Sequence, residues 1–120
     1  MIPTRVHGVL DYVVGGLLIV VGAVFYGTDN AAGLTPIILG AGTILYSLAT
    51  AYELGIVKLI PMPVHLGLDF VAGVVLAASP WLLDYADIGW VPHVLVGLME
   101  VGIVLLSQRV PGTAPMMPAH

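Results

Sequence analysis

Residues 2–16, IPTRVHGVLDYVVGG, and residues 60–74, IPMPVHLGLDFVAGV, each carry a histidine followed four positions later by an aspartate. On a helix that spacing sets both side chains on one face, within reach of each other. An imidazole beside a carboxylate can hold a proton, take part in a relay, or ligate an ion while the carboxylate orients the ring. The whole chain has only 3 Lys+Arg and 7 Asp+Glu, so two His–Asp pairs take a large share of its ionisable groups.

The two stretches are copies. With a shift of 58, eight of fourteen positions in 2–15 match 60–73, among them Pro3/Pro61, His7/His65, Asp11/Asp69 and Gly15/Gly73. Hydrophobic bias aligns Leu and Val, but it does not align Pro, His, Asp and Gly together. The second helices of the two units match weakly, mainly at Pro36/Pro92.

The elements that hold these pairs are apolar. Of 120 residues 59% are hydrophobic and 8% charged, and mean hydropathy is +1.07. Soluble domains carry about 25% charged residues, so the composition is that of a membrane protein. Four segments, 4–26, 35–54, 62–83 and 91–108, approach the ~20 residues that cross a bilayer core. Pro36 and Pro92 suit helix starts, with Thr35 as N-cap of the second helix. The apolar run Val9–Phe25 exceeds a signal-peptide core and Asn30-Ala31-Ala32 is a poor cleavage site, so the first segment is expected to be retained.

The expected fold is all-α: a four-helix transmembrane bundle of two tandem two-helix hairpins, related by a pseudo-twofold along the membrane normal. Residues 1–109 form one four-span membrane domain (repeat 1, 2–54; repeat 2, 60–108), and 110–120 form a flexible C-terminal tail. Arg5, Lys58 and Arg109 fall on one side of such a bundle, and Asp29, Asp84 and Asp87 on the other. The positive-inside rule then sets both termini in the cytoplasm of a multi-pass protein of the bacterial inner (plasma) membrane. Tyr26, Trp81, Tyr85 and Trp90 are expected as the outer aromatic belt.

The tripeptide Ser79-Pro80-Trp81, the His-x-x-x-Asp helix starts and the stretch YSLATAYELG (Tyr46–Gly55) resemble the SPW-repeat family of small bacterial integral membrane proteins. The likeness covers most of residues 2–107. The first hairpin departs from it, with Val21-Gly22-Ala23 where the tripeptide would recur. The resemblance implies a four-span membrane protein and brings no particular activity. At Pro80 the missing N–H frees the carbonyl of Leu76, where the Ser79 hydroxyl is at hand.

Each span has one polar or small-residue face, and these faces must meet inside the bundle because lipid cannot satisfy them. The buried polar cluster expected from this is His7, Asp11, Tyr46, Thr50, Glu53, His65, Asp69 and Glu100. Asp11, Asp69, Tyr46 and Glu100 fall in one layer about 10 Å from the cytoplasmic ends. Each acid costs about 2.5–3.5 kcal/mol in the bilayer centre unless paired or protonated. Pairing of His with Asp inside each helix is one solution, and protonated acids are another.

Several functions fit such a layer. The first is polar glue in a small non-enzymatic membrane component, a subunit or scaffold that needs no cofactor. A proton or cation pathway is the second. The third is cofactor or metal binding: haem between His7 and His65, or a divalent ion among His7, Asp11, His65 and Asp69. A membrane hydrolase using Glu100 or the Asp pair is the fourth. The lipid bilayer is the expected partner, with a homo-oligomer or a larger membrane complex left open. Net charge −4 leaves no basic surface for nucleic acid, and the absence of Cys excludes thiol chemistry. Phosphate-loop and zinc-protease motifs do not occur.

Overall fold

A computed structural model describes residues 1–110. Four helices follow in order: α1 (Thr4–Tyr26), α2 (Asn30–Leu48), α3 (Met62–Leu82) and α4 (Val91–Leu106). Among the described residues the only other ladder-type pairing is two isolated β-bridges. Beyond residue 110, the tail expected over 110–120 lies outside the described residues.

α1 packs chiefly on α2, and α3 on α4, so the architecture is two hairpins set side by side. Glycines allow the close approach. A Cβ on Gly15 would stand 3.0 Å from the carbonyl oxygen of Gly40, and one on Gly97 2.6 Å from that of Gly73. These contacts are equivalent in the two repeats, with Gly15 over Gly73 and Gly40 over Gly97. Small residues at such crossings bring backbones together where lipid offers no hydrophobic drive.

α1, α2 and α3 are long and apolar enough to cross a membrane, whereas α4 is a shorter apolar helix of 16 residues. Their outward residues are large and oily: Val13 is 61% exposed and Val24 72%. Water would not tolerate that surface, and acyl chains would.

Two helix boundaries differ from the sequence expectation. α2 starts at Asn30 because the Asp29 carboxylate accepts a hydrogen bond from the Ala32 N–H at 3.0 Å. Asp29 caps one turn and a half ahead of Thr35, and Pro36 lies inside the helix. The same helix ends at Leu48 and not near residue 54, because the chain turns back: Ile56 and Val57 both donate to the Leu48 carbonyl. Thr50 and Glu53 therefore sit beyond the helix that was expected to carry them.

An interior proline frees the carbonyl four residues earlier. Each freed carbonyl has found a donor. Below Pro36, the Ala32 carbonyl accepts from His93 Nε2 at 2.9 Å, which ties α2 to α4. Below Pro80, the Leu76 carbonyl accepts from the Ser79 hydroxyl at 2.7 Å.

Candidate functional site

α1 and α3 begin alike, each after a proline. His7 N donates to the Pro3 carbonyl and His65 N to that of Pro61. The starts of both helices are then pinned to the ends of the opposite repeat's neighbours. Ile2 exchanges hydrogen bonds with Leu106 and Gln108, and Ile60 with Ala49 and Ala51. This lays Ser107 beside His7 and Thr50 beside His65. The equivalence of Thr50 and Ser107 appears in the sequence only at a shift of 57, one less than the shift relating the first helices.

His7, Asp11, His65 and Asp69 are all buried and form one group, with ligand-type atoms within 4.8 Å of one another. Their pairing is crossed between repeats. His7 Nε2 lies 2.6 Å from Asp69 Oδ2 and His65 Nε2 2.5 Å from Asp11 Oδ2. The pairs within each helix, His7–Asp11 and His65–Asp69, are both longer at 3.1 Å. The same four atoms make all four contacts, so they close a ring of alternating nitrogen and oxygen. The two imidazoles meet edge to face at 5.5 Å between centroids.

The outer ring nitrogens settle where the protons are. The Ser107 hydroxyl donates to the Ile103 carbonyl at 2.6 Å, and its oxygen is 2.7 Å from His7 Nδ1. The Thr50 hydroxyl donates to the Tyr46 carbonyl at 2.6 Å, and its oxygen is 2.7 Å from His65 Nδ1. Each hydroxyl has spent its only hydrogen, so each Nδ1–H must be the donor. Each Nε2···Oδ2 contact then needs a proton of its own or a cation, since two bare lone pairs at that distance repel.

The remaining candidates fall at graded distances from the ring. Tyr46 donates its hydroxyl to Asp69 Oδ1, and among the described residues no tyrosine donates to Asp11. Glu100 is buried, and its Oε1 has no hydrogen-bond partner among the described residues. Glu53 is half-buried and accepts from Thr4 at 2.7 and 2.9 Å, apart from the ring. Haem does not fit between His7 and His65, because both Nε2 atoms face carboxylate oxygens that hold the space a porphyrin needs. The sequence alone shows of Ser107 only that it shares a helix face with His93, Gly97 and Glu100. Its role as the partner of His7 rests on a contact across 100 residues of chain.

A second polar layer lies at the other end. Tyr85, fully buried, donates its hydroxyl to Ser79 Oγ at 2.5 Å, and its ring packs on His93. Burial pushes the Tyr85 phenol up from its ordinary pKa, which keeps it a donor. Tyr85 therefore does not belong to the aromatic belt expected from the sequence, whereas Tyr26, Trp81 and Trp90 are exposed. Val14, Leu18, Leu76 and Val96 form an apolar cluster along the helices between the two polar layers. Ser79→Ala strips a donor from Leu76 and an acceptor from Tyr85, and should cost about 1–3 kcal/mol. A denaturant titration in detergent micelles measures it.

Four apolar helices around a polar ring define a small helical membrane protein made of two repeats. The chain belongs to the SPW repeat domain family, whose model matches residues 5–107. No curated protein and no solved structure matches it.

Proposed function

We propose that this chain is a small non-enzymatic component of the bacterial plasma membrane, a subunit or scaffold, in which crossed His–Asp pairs lock two hairpins into one four-span domain over residues 1–109. Both termini face the cytoplasm in this reading. The supporting asymmetry is that Arg5, Lys58 and Arg109 belong to segments at one end of the bundle, and Asp29, Asp84 and Asp87 to the turns at the other.

The observation that carries the reading is the crossing itself. A histidine paired with its own helix's aspartate would stabilise that helix alone. Here each histidine lies nearer the aspartate of the other repeat, at 2.6 and 2.5 Å against 3.1 Å. The ring is closed to solvent, which suits a lock better than a hydrolase that must admit water and substrate. The apolar layer of Val14, Leu18, Leu76 and Val96 separates the ring from the opposite polar layer, which weighs against a continuous proton path.

Double-mutant cycles in micelles test the lock. His7→Ala with Asp69→Ala should show a coupling of about 1–3 kcal/mol, larger than His7→Ala with Asp11→Ala. Equal couplings, or a within-helix coupling that exceeds the crossed one, would remove the lock.

A further inference from the structure

We infer that His7, Asp11, His65 and Asp69 form a binding site for one first-row divalent transition-metal ion, taken up in exchange for two protons. This goes beyond the lock, which stands whether protons or an ion close the ring.

Three observations carry it. The first is orientation. Both Nδ1–H groups are held by hydroxyls that are themselves anchored to backbone carbonyls, so both Nε2 atoms are turned inward. Imidazoles that bind metals are held in this way, by a hydrogen bond from the nitrogen that does not ligate. The second is size. Four ligand atoms about 2.1 Å from one ion lie about 2.9–3.4 Å apart along neighbouring edges, square to tetrahedral. The ring's edges are 2.5, 2.6, 3.1 and 3.1 Å, so the two short edges need open by about 0.3–0.5 Å for a square site and by about 0.8–0.9 Å for a tetrahedral one. The third is an unpartnered acid. Among the described residues Glu100 Oε1 is buried without a hydrogen-bond partner, and Glu100 lies near enough to Asp11, Asp69 and the two histidines to interact with their charges. A cation in the ring would stabilise its carboxylate.

The exchange balances. With both Nδ1–H fixed, the two short Nε2···Oδ2 contacts hold one proton each. A divalent ion entering the ring forms two bonds to nitrogen and two to oxygen, and releases those two protons. The net charge of the ring is unchanged, so the low-dielectric interior imposes no new charge burial. Two imidazoles with two carboxylates suit zinc and its neighbours, whereas magnesium and calcium prefer six or more oxygens. His7 is three residues from the start of α1, so the ring lies about one helical turn from the bundle end.

The test uses the full, untagged chain in a mild detergent, stripped with a chelator and titrated with zinc chloride in weak buffer near neutral pH. One zinc per chain is expected, with two protons released per zinc and no competition from equimolar magnesium. The double substitution His7→Gln, His65→Gln should abolish binding. Ser107→Ala, which keeps all four ligands, should weaken it about 10–100-fold. The absence of saturable binding at micromolar zinc overturns the inference. So does one-to-one binding without proton release, or one that survives in a folded double variant. If the double variant does not fold, proton release and Ser107→Ala decide. A protein that binds no zinc but shows the crossed coupling keeps the lock and loses the metal.

Discussion

Asp69→Ala is expected to cost the bundle about 3–5 kcal/mol, the range seen when one partner of a buried ion pair is removed. Asp69 receives more hydrogen bonds than any other side chain of the ring. Its Oδ2 faces His7 at 2.6 Å and His65 at 3.1 Å, and its Oδ1 accepts from Tyr46. Truncation therefore leaves His7 with only its 3.1 Å contact to Asp11 and strands a phenol in a space sealed from water, while His65 keeps Asp11 at 2.5 Å. Asp11→Ala leaves His65 with only its 3.1 Å contact to Asp69 but strands no phenol, since among the described residues no tyrosine donates a hydrogen bond to Asp11. It should cost about 1 kcal/mol less, the value of one ordinary hydrogen bond. Asp69→Asn separates charge from volume: it keeps the size but cannot balance an imidazolium, and should fall between wild type and Asp69→Ala. Reversible unfolding in mixed micelles gives all three values. A loss under about 1 kcal/mol for Asp69→Ala would mean that the ring contributes little to holding the hairpins.

Parts of this site were legible in the sequence, and the reason differs residue by residue. The four ring members could be found because Pro, His, Asp and Gly recur together at one shift. The bond from Ser79 to Leu76 could be anticipated because a proline frees a carbonyl at a fixed distance along its own helix. The equivalent event at Pro36 could not, because the donor is His93, 61 residues away. The start of α2 was misplaced by a local conflict. Thr35-Pro36 makes a good helix start, but Asp29 makes a usable cap six residues earlier, and the intervening Ala31 and Ala32 propagate a helix readily.

The crossing of the pairs was hidden for a different reason. Spacing of four residues satisfies a His–Asp pair within one helix as well as any partner elsewhere. Only the placement of α1 opposite α3 decides between them. That placement follows from the ends of the repeats, where Ile2 is tied to the end of α4 and Ile60 to the end of α2. Each repeat thus closes on the other, and the hydroxyls of Ser107 and Thr50 arrive with the closure. Around the ring, symmetry is broken on the second helices. Tyr46 has Ile103 as its counterpart at the shift of 57, and Thr43 has Glu100. α2 consequently supplies the ring with a phenol donor, and α4 supplies an acid whose Oε1 has no hydrogen-bond partner among the described residues.

The polar ring needs the hairpins to be packed closely enough to aim it, and Gly97→Val should show how closely. A Cβ at Gly97 would stand 2.6 Å from the Gly73 carbonyl oxygen, 2.7 Å from the Ala77 nitrogen and 2.9 Å from the Ala77 Cβ. Two of these are backbone atoms, which cannot swing aside as the end of a side chain can. The helices must separate, and Val adds two further methyl groups at the same point. Overpacking of a dense interior costs about 1–3 kcal/mol when side chains can adjust. With backbone in the way the loss should reach or pass the top of that range. Glu100 lies one turn beyond Gly97 on α4 and Ser107 near its end, so the separation also shifts Ser107 from His7. Gly102→Val is the control on the same helix. A Cβ there meets nothing within 4 Å, and the substitution should change stability by less than about 0.5 kcal/mol. Thermal melts of both variants in the same detergent make the comparison. If Gly97→Val melts with Gly102→Val at the wild-type temperature, α3 and α4 are not in backbone contact, and the aim of the ring must come from its own hydrogen bonds.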